Sequence, residues 1–251
     1  MDEEQLRLLS MYKDISAILN SYHIRFYMGY GTALGTVRHN GFIPWDNDID
    51  LLVWESDLPM VRKAFKEGLD SEKYYYHEPQ ADTHPHIILK VKNFEEGLKN
   101  KTAQFIDIFP LVKYPDRMFR KVLFFFPMGV LQTIITVTDR LNSYPLYKCA
   151  RRVLPFLKRI SGAMCNEDTK NVTVLSTTFY KEASPITYFE EPILRKFEDA
   201  DAPLPKEYDK ILKNFYGNYM VLPPECKRQG ASGYPCCAYF DYMEEQKSKG
   251  H

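Results

Sequence analysis

The sequence predicts a mixed α/β (α+β) fold, and three observations carry that prediction. Up to residue 112, short segments rich in β-branched and aromatic residues alternate with segments of helical spacing, the pattern of a sheet flanked by helices. Hydrophobic residues make up 45% of the chain and charged residues 26%, close to ordinary globular composition, which excludes disorder of the whole chain. The 251 residues show no internal repeat or long low-complexity stretch, so a single domain over 1–251 is expected.

Each element follows in order. Leu6, Leu9, Ile15, Ile18, Leu19 and Tyr22 recur near helical spacing behind Glu3 and Glu4, predicting a helix over 3–20. His23 to Met28 reads as a strand, broken by Gly29-Tyr30-Gly31-Thr32, and residues 33–39 as a short helix. Gly41 and Pro44 mark a loop. Residues 48–53 (DIDLLV) read as a strand entering a core. Ser56 is the expected cap of a helix that turns Leu58, Val61, Phe65 and Leu69 inward. Residues 86–92 and 104–112 read as further strands.

The middle of the chain differs, and a helical insertion is expected over 115–180. Residues 122–138 carry no charge, yet a helix of that length spans roughly 26 Å, short of a bilayer's core, and Pro127, Gly129 and Gln132 weaken it as a membrane span. From Arg117 to Arg159 there are nine Lys/Arg and one acid, Asp139. Two readings stay open: a buried helix or helix pair with solvated basic ends, and a subdomain making peripheral contact with an anionic membrane. Further on, a helix is expected over 206–215, ended by Gly217, and a frayed polar tail over 244–251.

Charge and cysteine content narrow the partners. Lys plus Arg and Asp plus Glu are 33 each, a balance that argues against a nucleic-acid partner. The five cysteines (149, 165, 226, 236 and 237) are odd in number and form no CxxC, so neither a disulfide framework nor a zinc ribbon is expected. The acidic start, Met1-Asp2-Glu3-Glu4, is unlike a signal peptide, and the expected location is cytoplasmic, with the inner membrane face as the alternative.

The chemistry concentrates in Gly31–His39 and Trp45–Asp50. On a strand, Asp48 and Asp50 share one face, roughly 6–7 Å apart at Cα. Unpaired, the two carboxylates repel, and a hard divalent cation, Mg²⁺ or Mn²⁺, relieves the repulsion. The competing reading is a solvent-facing acid pair, although the apolar run Ile49, Leu51, Leu52, Val53 argues for a buried strand. Gly31 and Thr32 fall at a strand-to-helix turn, where backbone N–H groups could cradle a phosphate; an ordinary glycine turn is the alternative. Arg38 could reach a phosphate or carboxylate, or be a surface arginine. Asp107, a lone acid in the apolar Phe105–Phe109, is the candidate third carboxylate, or an acid facing solvent. Lys90 could face a phosphate or be a surface lysine. Trp45 adjoins the acid run, as a substrate-facing aromatic or as a plug fixing the loop after Pro44; Tyr30 and Tyr234 are further aromatic candidates.

These stretches resemble the LicD family of phosphocholine transferases, related to the fukutin group. The likeness lies in Gly31-Thr32-Ala33-Leu34-Gly35 through Arg38-His39, then Phe42-Ile43-Pro44-Trp45-Asp46-Asn47-Asp48-Ile49-Asp50, with Asn47 where the family usually has Asp. Ile106 to Leu111, Phe197-Glu198, Pro205 and Phe215 through Pro224 continue it. The resemblance implies a nucleotidyltransferase-like mixed sheet. It implies a phosphotransferase that moves a phospho-alcohol from a CDP-alcohol donor to a sugar hydroxyl and releases CMP. CDP-choline is the favoured donor; ribitol and mannosyl phosphate occur among related members. The acceptor is a glycan or lipid-linked saccharide, as in lipopolysaccharide or a teichoic acid precursor of the cell envelope. Catalysis is expected from Asp48, Asp50 and Asp107 as metal ligands, with Asp107 also a candidate proton acceptor. Gly31, Thr32, Arg38, Trp45 and Lys90 are expected on the substrate. The competing functions are a nucleotidyltransferase proper, a DxD glycosyltransferase and a non-catalytic binding protein.

Overall fold

The computed structural model describes residues 1–78, 84–90, 92–166, 168–174, 182–228 and 237–249. Helix α1 (Glu3–Ser21) begins on a reciprocal cap: Gln5 N donates to Asp2 Oδ1 at 2.8 Å, and Asp2 N donates back to the Gln5 side chain. Its buried stripe is Leu8, Met11, Tyr12, Ile15 and Leu19. Leu6, expected to join the stripe, is exposed, since it sits about 200° around the helix from Leu8.

Strands β1 (Phe26–Met28), β2 (Ile49–Trp54), β3 (Tyr74–His77), β4 (His86–Leu89), β5 (Phe105–Tyr114), β6 (Asn171–Val174) and β7 (Ser184–Pro185) form one curled mixed sheet. The order is β1-β2-β5-β4-β3, with β6 on β5 and β7 on β6. β2 and β5 run parallel, and every other pair is antiparallel. The ten-residue β5 pairs with β4 through its first residues and with β6 through its last. Helices α2 (Tyr30–His39), α3 (Leu58–Gly68) and α4 (Phe94–Asn100) lie between the strands.

Alternation along the strands makes two cores. Ile49, Leu51 and Val53 of β2 with Ile106 and Ile108 of β5 pack under α1 and α3. Leu52 and Leu111 join Val172, Val174, Tyr27 and Phe189 on the opposite face. Ser56 does not cap α3: it lies in a 3₁₀ turn (Glu55–Asp57) and its hydroxyl bonds Asp57 Oδ1 at 3.3 Å.

After β5 the chain forms a helix hairpin, α5 (Met118–Leu141) and α6 (Tyr144–Gly162), before β6 returns to the sheet. Pro127 lies inside α5. A separate hairpin, β8 (Ile193–Phe197) and β9 (Ala200–Leu204), precedes α7 (Tyr208–Tyr216), which Gly217 ends with a φ of 65°. The expected frayed tail is instead largely helix α8 (Cys237–Lys249). Its Glu244 accepts from Tyr144 Oη at 2.5 Å and from Arg151 Nη1 at 2.6 Å, so α6 supplies the partners that order these polar residues.

Candidate active site

The register of the sheet assembles the site. Asp50 is opposite Asp107, Asp107 opposite His86, and His86 opposite His77. Cross-strand partners point to the same face, so four adjacent strands carry a continuous row, Asp50–Asp107–His86–His77. The parallel pairing of β2 and β5 brings the two acids together at corresponding ends of their strands.

Two more acids approach from the loop before β2. Asp48 stands just outside the strand that the sequence predicted to contain it, and its carboxyl shares a hydrogen bond with that of Asp46. A hydrogen bond between two carboxyls requires a proton. Burial pushes the Asp48 carboxyl up to about 8, with Asp46 and then Asp107 adding to the effect. Burial, then the charges of Asp48, Asp107 and Asp46, raise Asp50 well above the ordinary carboxylate range.

Asp107 behaves in the opposite way. Burial would raise its carboxyl, but the imidazoles of His86 and His84 outweigh burial and hold it at about 2. His86 Nδ1 lies 2.5 Å and His84 Nε2 3.5 Å from Asp107 Oδ1. One donor atom from each of His84, His86 and Asp107 lies within 4.8 Å of the others, a spacing able to hold a metal ion. The row continues away from the acids. The His86 ring stacks on that of His77 at 5.5 Å and 10°, His77 Nε2 lies 2.7 Å from Asp241 Oδ2, and Tyr147 donates its hydroxyl to Asp241 Oδ1. Buried polar groups linked in this way fix one another's orientation.

The turn into α2 holds the acid cluster. Asp50 N donates to Thr32 Oγ1 at 2.9 Å, and Thr36 Oγ1 donates to Thr32 O at 2.8 Å. A Cβ on Gly31 would come within 2.6 Å of Asp46 Oδ2, so glycine is the residue that lets Asp46 settle against the first turn of α2. Gln5 Nε2 fixes the loop from the other side through Asp46 O, at 2.9 Å. Gly31, Thr32, Asp46, Asp48, Asp50 and Asp107 are thus gathered in one place.

Four other candidates are placed elsewhere or otherwise engaged. Arg38, in the last turn of α2, donates to Tyr219 O at 2.8 Å and to His39 Nε2 at 3.0 Å. Lys90 follows the far end of β4, roughly 13 Å along the strand from His86, and donates to Ser71 O at 2.6 Å. Trp45 packs against the main core, and the Arg228 guanidinium lies 5.3 Å from its ring centroid. Tyr30 joins Phe109 and Phe215 edge-to-face at 5.2 and 5.6 Å and donates its hydroxyl to Glu182 Oε2 at 2.5 Å. Tyr234 and Cys236 lie outside the described residues.

The histidines and Asp241 escaped the sequence reading. His84 and His86, two apart at the mouth of an apolar strand, repeat the spacing of Asp48 and Asp50, and that repetition was the available signal. Asp46 was legible only as part of the loop.

Residues 23–131 match the family model described as LicD/FKTN/FKRP, nucleotidyltransferase domain. That span holds the α2 turn, all four acids, and His77, His84 and His86. Residues 23–131 are thus similar to the LicD family. The chain is 26% identical to the lipopolysaccharide cholinephosphotransferase LicD of Haemophilus influenzae, over 89% of this chain and 92% of that protein. It is also 24% identical to an uncharacterized protein of Rickettsia prowazekii, over 76% of this chain and 74% of that one. A protein of Rickettsia typhi, also uncharacterized, is 36% identical over only 22% of this chain.

Proposed function

We propose that the protein is a phosphotransferase that moves phosphocholine from CDP-choline to a sugar hydroxyl of a lipopolysaccharide-type or teichoic acid precursor, releasing CMP. The observation that carries this reading is the cluster of Asp46, Asp48, Asp50 and Asp107 built into the LicD-like span. The named Haemophilus relative, matched over nearly its full length, supplies the substrate class. The expected place of action is the cytoplasm, at or near the inner membrane face.

The cluster fits a divalent cation. Its hard carboxylate oxygens and the raised Asp48 and Asp50 carboxyls mark a place where negative charge is crowded and a cation would relieve it. Asp48, Asp50 and Asp107 would hold Mg²⁺ or Mn²⁺, which when bound offsets charge developing on the donor diphosphate. The protein's own residues do the rest. Thr32 and Gly31 fix Asp50 and Asp46, so the acids are placed before substrate arrives. Asp107, held near 2, is a poor proton acceptor at neutral pH. His84 is oriented by Asp107 Oδ1 and is slightly more open to solvent than His86, so its imidazole takes the proton of the acceptor hydroxyl. The hydroxyl oxygen then attacks the distal phosphorus in line, the bond from that phosphorus to the bridging oxygen breaks, and CMP leaves.

Choline offers no hydrogen-bond donor and is held by aromatic faces beside a carboxylate. Tyr30, Phe215 and Glu182 meet that requirement next to the α2 turn. Trp45 meets it less well, because a guanidinium already lies against its ring. The test is CMP release from a panel of CDP-alcohols with Mg²⁺ or Mn²⁺, together with mass analysis of a glycan acceptor. A phosphocholine diester on the glycan is expected. Transfer of the nucleotide itself would replace this reading with a nucleotidyltransferase, and release from CDP-ribitol alone would replace the donor.

A further inference from the structure

Helix α5 is apolar on two opposite sides. Phe124, Met128 and Leu131 face a cluster shared with Tyr114 of β5 and with Tyr147, Ala150 and Leu154 of α6. The other side carries Phe119, Val122, Phe126, Val130 and Val137, spaced three, four or seven apart, and all are exposed. Phe119 and Phe126 are 74% and 75% exposed, and the stretch Met118–Thr138 has a mean hydropathy of 1.6 with only 28% of it inside the protein. An apolar row of this length on a water-facing helix marks an interaction surface.

Charge identifies the occupant. The outward side of the neighbouring α6 carries Lys148, Arg152 and Arg159 around the exposed Phe156. Arg151 turns inward to Glu244 and is not part of this row. Both helices put their inner sides into the shared cluster, so the apolar row and the basic row both turn away from it. Aromatic and aliphatic side chains beside arginines and lysines fit a surface that is apolar below and anionic on top. A spanning arrangement fits poorly: the inner side of α5 is committed to the protein, and the basic α6 is packed along it.

We propose that the α5–α6 hairpin seats the protein on an anionic lipid bilayer, lying in its surface without crossing it. The proposal does not rest on the phosphotransfer reading, because lipid binding is measured without substrate. The test is flotation of the purified full chain with vesicles of phosphatidylcholine alone and of an equal mixture with phosphatidylglycerol. Binding is expected to the mixed vesicles at least about tenfold more tightly, and to weaken as NaCl rises from about 0.05 to about 0.5 M. Arg152→Ser with Arg159→Ser should weaken binding by about tenfold. Phe119→Ser with Phe126→Ser should abolish it, while the far-ultraviolet circular dichroism and the thermal transition stay those of the parent. Equal binding to both vesicles, or none, overturns the proposal. So does resistance of vesicle-bound protein to alkaline carbonate extraction, which would mean a span. A dimer in light scattering that the Phe119→Ser/Phe126→Ser pair dissociates would assign the surface to a second copy and overturn it equally.

Discussion

Asp50 and Asp107 face each other across one strand pair and are driven in opposite directions, the first well up by burial and its acidic neighbours, the second down by two imidazoles. Asp50→Asn and Asp107→Asn should each lower CMP release from CDP-choline by about 10²–10³-fold, the scale of losing one electrostatic contact to developing charge. Asp50→Asn should also raise the Tm at pH 8, because it removes one buried like charge; an unchanged or lower Tm would contradict the crowding described here. His84→Gln should lower kcat and remove the acidic limb of the kcat profile, whereas a purely structural role would leave the limb in place. The pH dependence of stability has a defined sign. Asp48 and Asp50 bind protons more tightly folded than unfolded, where the ordinary value is 3.8. The favourable contribution of Asp48 is complete below 3.8 and is lost as pH rises through about 8, and that of Asp50 is lost in the same direction, as pH rises. Asp107 contributes the reverse, stability that is present above 3.8 and lost only as pH falls towards 2, so it does not offset the loss in the neutral range. Metal-free protein should therefore melt at a lower temperature at pH 8 than at pH 6. A saturating divalent cation should reduce that difference and raise the Tm at pH 8 by about 5–10 °C, read by calorimetry.

At the scale of elements, what could be read from sequence depended on whether the cause was local. Helix α1, strands β1, β2 and β5, and helix α7 follow from periodicity and turn residues within each segment, and they lie within a few positions of where the sequence put them. The α2 turn with Asp48 and Asp50 was legible because its residues are close in the chain. The contribution of His77 and Asp241 was not, because a buried histidine and a tail aspartate acquire meaning only when β3 and α8 meet. The tail read as frayed for the same reason: its order comes from Tyr144 and Arg151, about a hundred positions away. Asp241→Ala should accordingly cost about 3 kcal/mol, since it leaves His77 buried without its acid. Chemical denaturation measures this loss, and a change below about 0.5 kcal/mol would show that α8 does not support the sheet. Gly31→Ala should displace Asp46 and cut activity with little change in secondary structure, visible as lost CMP release with unaltered circular dichroism.

Across the whole molecule, the polar row connects parts of the chain that are remote in sequence; His77 and Asp241 alone are 164 positions apart. Contacts between distant segments carry the largest loop-closure cost and tend to form after the local ones. A chain stalled part-way through folding would keep its short-range helices but hold Asp107 and the histidines apart from Asp46, Asp48 and Asp50, leaving weak affinity for cations. Tight cation binding would then appear only when the last long-range contacts close. The row thus gives the protein a built-in report on its own maturation: in a refolding experiment, sensitised luminescence of a bound lanthanide should develop with the slowest phase and lag behind the recovery of helical signal.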